Sequence, residues 1–429
     1  MKERIVVSVL CITYNHISYI RETLEGFLMQ KTDYPIEVLI HDDASTDGTD
    51  IVLKEYEKKF PSFFTVLYEK ENQWNKGIDY NHDLLAPLAK GEYIALCEGD
   101  DAWIDEDKIQ IQVDYMEKHK ECSLVTHKSF LQYPSHWNKK RDPRSMGYSE
   151  SCIVKREELY FSWKLATSTF LFRKSDYIDM PSFILHAPTG DEPLKFYLSE
   201  LGTVYYINRV MSVYNRMATG SWSERNGFDS PYNKTLNYTK GYVDFFMKFD
   251  EFTDYKNSDF YHKCIRERIQ RALIYILLHS DMENGAQQMV EELSNVCNSK
   301  WEKYILSKKK CFSFQNNKKY SALFAHPSKN TKTSNYIYGA GDLTEAFISN
   351  HSHDNLNIKK IITTKEIDRK ELSGIPIISF DDFMKEWKSN KEINIFISVS
   401  STYAKEIMIK LNENGINSYY WLYEDVFYY

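Results

Sequence analysis

Between Ile5 and Cys97 short apolar runs alternate with amphipathic stretches, and this rhythm restricts the chain to an α/β fold. Ile5 to Ile12 reads as a buried strand and Ile17 to Met29 as a helix. Ile36 to Ile40 reads as a second strand, followed by a helix over Thr49 to Lys59 with Ile51, Val52 and Tyr56 as its apolar positions. Phe64 to Tyr68 is a third strand, Asp79 to Ala89 a further helix, and Tyr93 to Cys97 a fourth strand. Strands joined through helices pair in parallel, so a mostly parallel sheet flanked by helices is expected. Ligands of such sheets sit outside the carboxyl ends of the strands.

Polar clusters stand at those ends. Thr13-Tyr14-Asn15 closes the first strand, His41-Asp42-Asp43-Ala44-Ser45-Thr46-Asp47-Gly48-Thr49 follows the second, and Glu98-Gly99-Asp100-Asp101 follows the fourth. Carboxylates crowded at the end of a buried strand are costly unless a positive group sits among them. Oxygen ligands suit Mg²⁺ or Mn²⁺, held through one or two carboxylates plus substrate phosphates. A solvated acidic turn is the competing account of the third cluster. Asp47-Gly48-Thr49 reads as a turn and helix cap, which leaves Asp42 and Asp43 to be explained.

The chain has 429 residues, enough for two or three domains. A net charge of -7 and a pI near 6.0 argue against a nucleic-acid footprint. Seven cysteines lie scattered with no CxxC pair, which speaks against a zinc site or disulfide framework and for a reducing compartment. Cys11 and Cys97 fall in apolar strands as small hydrophobes. The opening MKERIVVSVLCITYN has too short an apolar part for a signal peptide, and Ala272 to Leu278 is far too short to span a bilayer. Cytoplasmic location is therefore expected, with room for peripheral contact at the inner face of the cell membrane.

Three regions are expected: an α/β domain over 1–225, a helical region and linker over 226–330, and a small Rossmann-like α/β domain over 331–429. Phe260 to Asp281 and Ala286 to Val296 carry helical spacing in the middle region, and His326 to Asn335 reads as a linker. In the last region Tyr336-Ile337-Tyr338 precedes Gly339-Ala340-Gly341 and a helix from Leu343. The third glycine of a dinucleotide fingerprint is replaced by Thr344, and the next strand ends in Thr363-Thr364 without an acidic residue. A structural or interaction role is the better reading of that domain.

Together, VSVLCITYN, HDDASTDGT and KGEYIALCEGDDAW followed by Lys108 and Gln112 resemble the nucleotide-binding half of the family 2 glycosyltransferases. The resemblance covers residues 5 to 225 and implies the GT-A fold, inversion and dependence on Mn²⁺ or Mg²⁺. It implies that Thr13, Tyr14 and Asn15 offer backbone groups and an aromatic face to a nucleotide-sugar donor. Asp42 and Asp43 match the position that recognises uracil and ribose, Asp43 more closely. Asn75-Lys76-Gly77 resembles a loop beside the donor. Glu98-Gly99-Asp100-Asp101 matches the family's acidic metal motif, with Glu in place of the usual first Asp. On that match Asp100 is the metal ligand, Glu98 and Gly99 lie by the ribose, and Asp101 lies in the outer shell of the metal or near the acceptor. Trp103 is expected on the acceptor side as well.

His186 to Leu194 resembles the family's Gly-Asp-x-Pro-Leu segment, which makes Asp191 the general base and sets Glu192 by the acceptor. A plain helix cap is the alternative account of Gly190-Asp191. Related sequences follow this segment with Val-Met-Ser-Val-Tyr-Arg and a nearby His. Here Asn215 and Arg216 follow Tyr214, and Met217 takes the place expected for the His. Trp222 either stacks on a sugar of the acceptor or belongs to the core.

These matches imply transfer of a sugar from a nucleotide donor, most simply UDP-linked, to a hydroxyl of a glycan or lipid-linked glycan in cell-surface polysaccharide synthesis such as capsule formation. Homo-oligomers are compatible with the sequence, and no nucleic-acid partner is expected. A nucleotidyltransferase is the first alternative, but no Gly-rich, basic triphosphate loop opens the chain. A non-catalytic nucleotide- or sugar-binding scaffold is the second.

Overall fold

The computed structural model describes residues 4–73, 78–132, 144–160, 165–216, 218–219, 221 and 231–279. Towards the carboxyl end it describes 334–339, 344, 348, 358–364, 369–389, 393–397, 407, 409–416 and 420–421. The chain divides into two compact units, Met1–Phe228 with Phe245–Cys264, and Asp229–Asp244 with Ile265–Tyr429.

The first unit opens β1 (Val7–Thr13), α1 (Ile20–Leu28), β2 (Ile36–Asp42), α2 (Thr49–Lys59) and β3 (Phe64–Tyr68). A π-helical turn (Tyr80–Leu85) then leads to β4 (Tyr93–Leu96), β5 (Ala102–Trp103) and α3 (Lys108–Lys118). β6 (Cys122–Gln132), β7 (Arg144–Met146), β8 (Cys152–Ile153), α4 (Arg156–Leu159) and β9 (Leu171–Arg173) follow. α5 (Lys174–Ile178), α6 (Ser182–Leu185), α7 (Asp191–Leu201) and β10 (Thr203–Asn215) complete the series. The strands lie in the order β3-β2-β1-β4-β9-β6-β10-β5. β3, β2, β1 and β4 are parallel neighbours, as are β6 and β10, whereas β9 runs antiparallel between β4 and β6. This is the expected α/β sheet, with β1 at the centre of its parallel half.

Burial explains why these segments form these elements. β1 and β4 are inaccessible along nearly their whole length, so both faces want apolar side chains and the runs read as continuous rather than alternating. α1 buries Ile20, Leu24 and Phe27 at helical spacing, and Thr23 lies on the same face. Gly26 lets that helix press on β5: a Cβ there would stand 2.6 Å from the Trp103 carbonyl oxygen. The segment expected as a helix over Asp79 to Ala89 contains instead the wider π turn, in which Asp79 caps the His82 amide at 3.0 Å.

α9 (Ser258–His279) is the helix expected over Phe260 to Asp281, and it is preceded by α8 (Pro231–Phe252), which the spacing does not single out. That region is not a body of its own. The Phe245, Phe246 and Phe249 side chains surround Phe196 of α7, the Phe246 ring at 5.4 Å between centroids, which assigns residues 245–264 to the first unit. The expected helix over Ala286 to Val296 and most of the linker lie outside the described residues.

The second unit holds β11 (Ser334–Tyr338), β12 (Ile358–Thr363), β13 (Glu371–Leu372), β14 (Ile375–Ser379), α10 (Phe380–Ser389), β15 (Ile393–Ile397) and β16 (Tyr420–Trp421). Its strands are ordered β13-β14-β12-β11-β15-β16, with every pair parallel except β13 with β14. The parallel strands thus follow a Rossmann-type order around a core that includes Ile362, Ile395, Ile397 and Phe383.

Candidate active site

Parallel pairing brings three polar strand ends side by side. Thr13 of β1 is in register with Asp42 of β2, and the Asp43 amide donates to the Thr13 carbonyl at 3.0 Å. On the other flank of β1 the Gly99 amide donates to Ile12 O at 2.9 Å. Gly99 is packed so tightly here that a Cβ would sit 2.5 Å from Thr13 Oγ1 and 3.1 Å from His16 Nδ1. Thr13 Oγ1 and His16 Nδ1 are themselves 3.2 Å apart.

The loops after β1 and β2 are stitched together. The Asn15 amide donates to Ser45 Oγ at 2.9 Å, Thr46 N donates to Asn15 Oδ1 at 2.8 Å, and Ile17 N donates to Asp47 Oδ2 at 3.0 Å. Asn15 and Ala44 both adopt left-handed backbone angles, φ 57° and 61°. Strain of that kind in two facing loops is held only where surroundings enforce it, and it gathers at functional sites.

The two aspartates after β2 differ. Asp42 is buried and accepts from Ser45 Oγ at 2.5 Å, and its pKa is raised because burial outweighs that hydrogen bond. Asp43 accepts from the Gln73 amide at 2.7 Å, which ties it to the chain leading into residues 74–77. Asn75, Lys76 and Gly77 lie outside the described residues, as do Trp222 and Met217.

The acidic turn is the electrostatic centre. Asp100 and Asp101 are buried. Glu98 is pushed up to about 8, first by desolvation and then by the neighbouring charges of Asp100 and Asp191. Asp101 is raised for the same reasons, desolvation before Asp100 and Glu98. The field reaches the strands beneath, where Cys11 and Cys97 thiols are held protonated by burial and then by these carboxylates. Asp191, the first residue of α7, therefore lies within the field of the acidic turn although the two are about ninety residues apart in sequence. Its carboxylate stands 4.0 Å from Lys195 Nζ, and its side chain is 37% exposed, open enough to meet a substrate hydroxyl. Glu192 beside it is partly exposed.

Among the described residues no three acidic, histidine or cysteine side chains converge as a closed metal cage. The donor set is one of crowded oxygen acids, which fits Mg²⁺ or Mn²⁺ bound by one or two carboxylates and completed by phosphate oxygens. Asp100, with Glu98 beside it, is the fitting holder.

Trp103 corrects the expectation of an acceptor contact. It is 1% exposed, its ring meets Phe27 edge-on at 4.8 Å, and its Nε1 donates to Ser168 O at 3.0 Å. Lys108 Nζ sits 3.9 Å from the centre of the same ring and donates to Gln112 Oε1 at 2.6 Å. The tryptophan is a floor for the acidic turn, not part of its mouth.

Three residues at the site escape a reading of the sequence. Asn215 donates its amide N–H to Asp101 Oδ1 at 2.9 Å and its side-chain Nδ2 to the Asp100 carbonyl at 2.7 Å. Thr23 Oγ1 lies 2.7 Å from the Asp101 carbonyl oxygen and 3.1 Å from that of Gly99. Asp79 is a carboxylate next to the start of α7, 4.0 Å from where a Gly190 Cβ would be, and burial raises its pKa. Only Asn215 carried a signal, as the replacement of an arginine found in similar sequences.

The Glycosyl transferase family 2 model matches residues 8–179. An uncharacterized protein of Mycobacterium tuberculosis is 33% identical over 221 residues, 50% of this chain and 60% of that one. The chain thus spans about three-fifths of the length of that relative. The Escherichia coli enzyme WfaP, named as a UDP-Glc:alpha-D-GlcNAc-diphosphoundecaprenol beta-1,3-glucosyltransferase, is 34% identical over 116 residues, 27% of this chain and 43% of that one. Among solved structures, S. aureus TarS 1-349 in complex with UDP-GlcNAc superposes with a TM-score of 0.50 at 16% identity, covering 72% of this chain and 89% of that one. At that identity the likeness is one of fold, and it agrees with the GT-A architecture. No described helix is long and apolar enough to cross a membrane.

Proposed function

We propose that this chain, whose residues 8–179 match the Glycosyl transferase family 2 model, is an inverting enzyme that moves a sugar from a UDP-linked donor to a hydroxyl of a cell-surface glycan or its lipid-linked precursor. The observation that carries the reading is the shared electrostatic field of Glu98, Asp100 and Asp191, which come from the end of β4 and the start of α7. The relative named for a UDP-glucose donor and a diphospholipid-linked acceptor supports the choice of donor and acceptor classes.

The residues divide the work. Thr13, Asn15, Asp42 and Asp43 form the wall against which the uridine lies. Asp100 and Glu98 would hold the cation, which when bound would neutralise charge on the leaving nucleoside diphosphate. Asp191 accepts the proton of the acceptor hydroxyl as its oxygen bonds to the anomeric carbon. The bond from that carbon to the diphosphate oxygen breaks in the same displacement, its electron pair leaving with UDP, and the configuration inverts. Lys195 Nζ stands 4.0 Å behind Asp191, on the same helix.

The test is a panel of nucleotide sugars incubated with the protein and Mn²⁺, scored by nucleoside diphosphate release to water. One donor should be hydrolysed slowly with Mn²⁺ and not with a chelator. A non-catalytic scaffold releases nothing from any donor.

A further inference from the structure

The turn Glu98–Asp101 places carboxylates on three of four residues, and like charges held so close tend to spread. Its backbone carbonyls meet donors from other elements and from the turn itself. Glu98 O accepts from the Asp101 amide at 3.1 Å. The Gly99 and Asp101 carbonyls face Thr23 Oγ1 on α1, and the Asp100 carbonyl accepts from Asn215 Nδ2 at the end of β10. A hydroxyl has one proton to give, so the 2.7 Å contact to Asp101 O is the principal bond of Thr23. Both clamps are buried, Thr23 at 0% and Asn215 at 6% exposure, and neither carries charge. Strand β10 cannot drift from the turn either, because its Ser212 and Val213 pair with Trp103 and Ala102 directly after it.

We infer that Thr23 and Asn215 are positioning residues that hold the acidic turn in its cation-binding shape before any ligand arrives. The inference rests on the glycosyltransferase reading and deepens it. Side chains from two distant elements bind main-chain carbonyls of the turn. Without them the carboxylates relax apart, and the binding of diphosphate with metal must first pull them together. Asn215 gives both its backbone N–H and its Nδ2 to the turn, so its role is to shape the turn.

The experiment is calorimetric titration of the full chain with UDP, with Mn²⁺ and with EDTA, for wild type, Thr23→Val, Thr23→Ser and Asn215→Ala, each with a thermal midpoint. Thr23→Val and Asn215→Ala should weaken UDP binding in Mn²⁺ about tenfold, the scale of one lost buried hydrogen bond. Their UDP binding in EDTA should stay at the wild-type level. Thr23→Ser keeps the donor and should restore the Mn²⁺ response, which a loss of packing alone would not do. Variants with lowered midpoints but an undiminished Mn²⁺ response overturn the inference. A wild-type protein whose UDP binding ignores Mn²⁺ overturns the glycosyltransferase reading, and the clamp with it.

Discussion

Lys108 shows how much this molecule spends on a single buried charge. Its amine is wholly enclosed between the Trp103 ring and Gln112, and burial brings its pKa down to about 7 against the upward pull of Cys97 and Asp105. Unfolded, the same amine titrates near 10.5. Between these values the unfolded chain binds the extra proton, so stability rises with pH. The lysine's contribution is fully restored above the unfolded pKa and lost as pH falls through the folded one. Replacing it with the neutral Lys108→Met should therefore stabilise the protein most below pH 7. That advantage should shrink steadily towards pH 10 in urea melts of the two proteins. An advantage that is flat with pH would mean the amine is neutral, or solvated, throughout.

Among the elements, the approach of the acidic turn to β1 is the most exacting. Gly99 has no room for a side chain against Thr13 and His16. Gly99→Ala should cost about 1–3 kcal/mol in denaturant melts, the range for an overpacked site. It should also displace Asp100 enough to abolish the Mn²⁺ effect on UDP binding; a variant with wild-type stability would show that the turn is free to shift. The strands and the acidic turn were legible because β1, β2 and β4 are apolar runs that stop abruptly at polar residues. Asp191 was legible only through its motif. Thr23 was not, and Asn215 stood out only as a departure from the motif, because their bonds to the turn span 76 and 115 residues of sequence and no local pattern encodes them. Trp103 was misplaced for a related reason: a tryptophan after two aspartates looks exposed until α1 and α3 are seen to close over it. The π turn was hidden because its apolar spacing mimics an ordinary helix.

At the scale of the whole molecule, a compact unit that includes residues 245–264 should not survive a cut at the sequence boundary expected near 225. Those residues cover Phe183 and Phe196 with Phe245, Phe246, Phe249 and Phe260. A chain ending at 228 should be insoluble or strongly destabilised, whereas one ending at 279 should still bind UDP. Equal behaviour of the two, judged by soluble yield and thermal midpoint, would contradict that partition. The most direct test of the central claim compares UDP release from the donor sugar by wild type and Asp191→Asn, alongside UDP affinity in Mn²⁺. The account predicts that the variant binds UDP as tightly as wild type and turns over at least about a hundredfold more slowly, the lower end of what a general base contributes. Turnover at the wild-type rate would remove Asp191 from the chemistry and contradict the account.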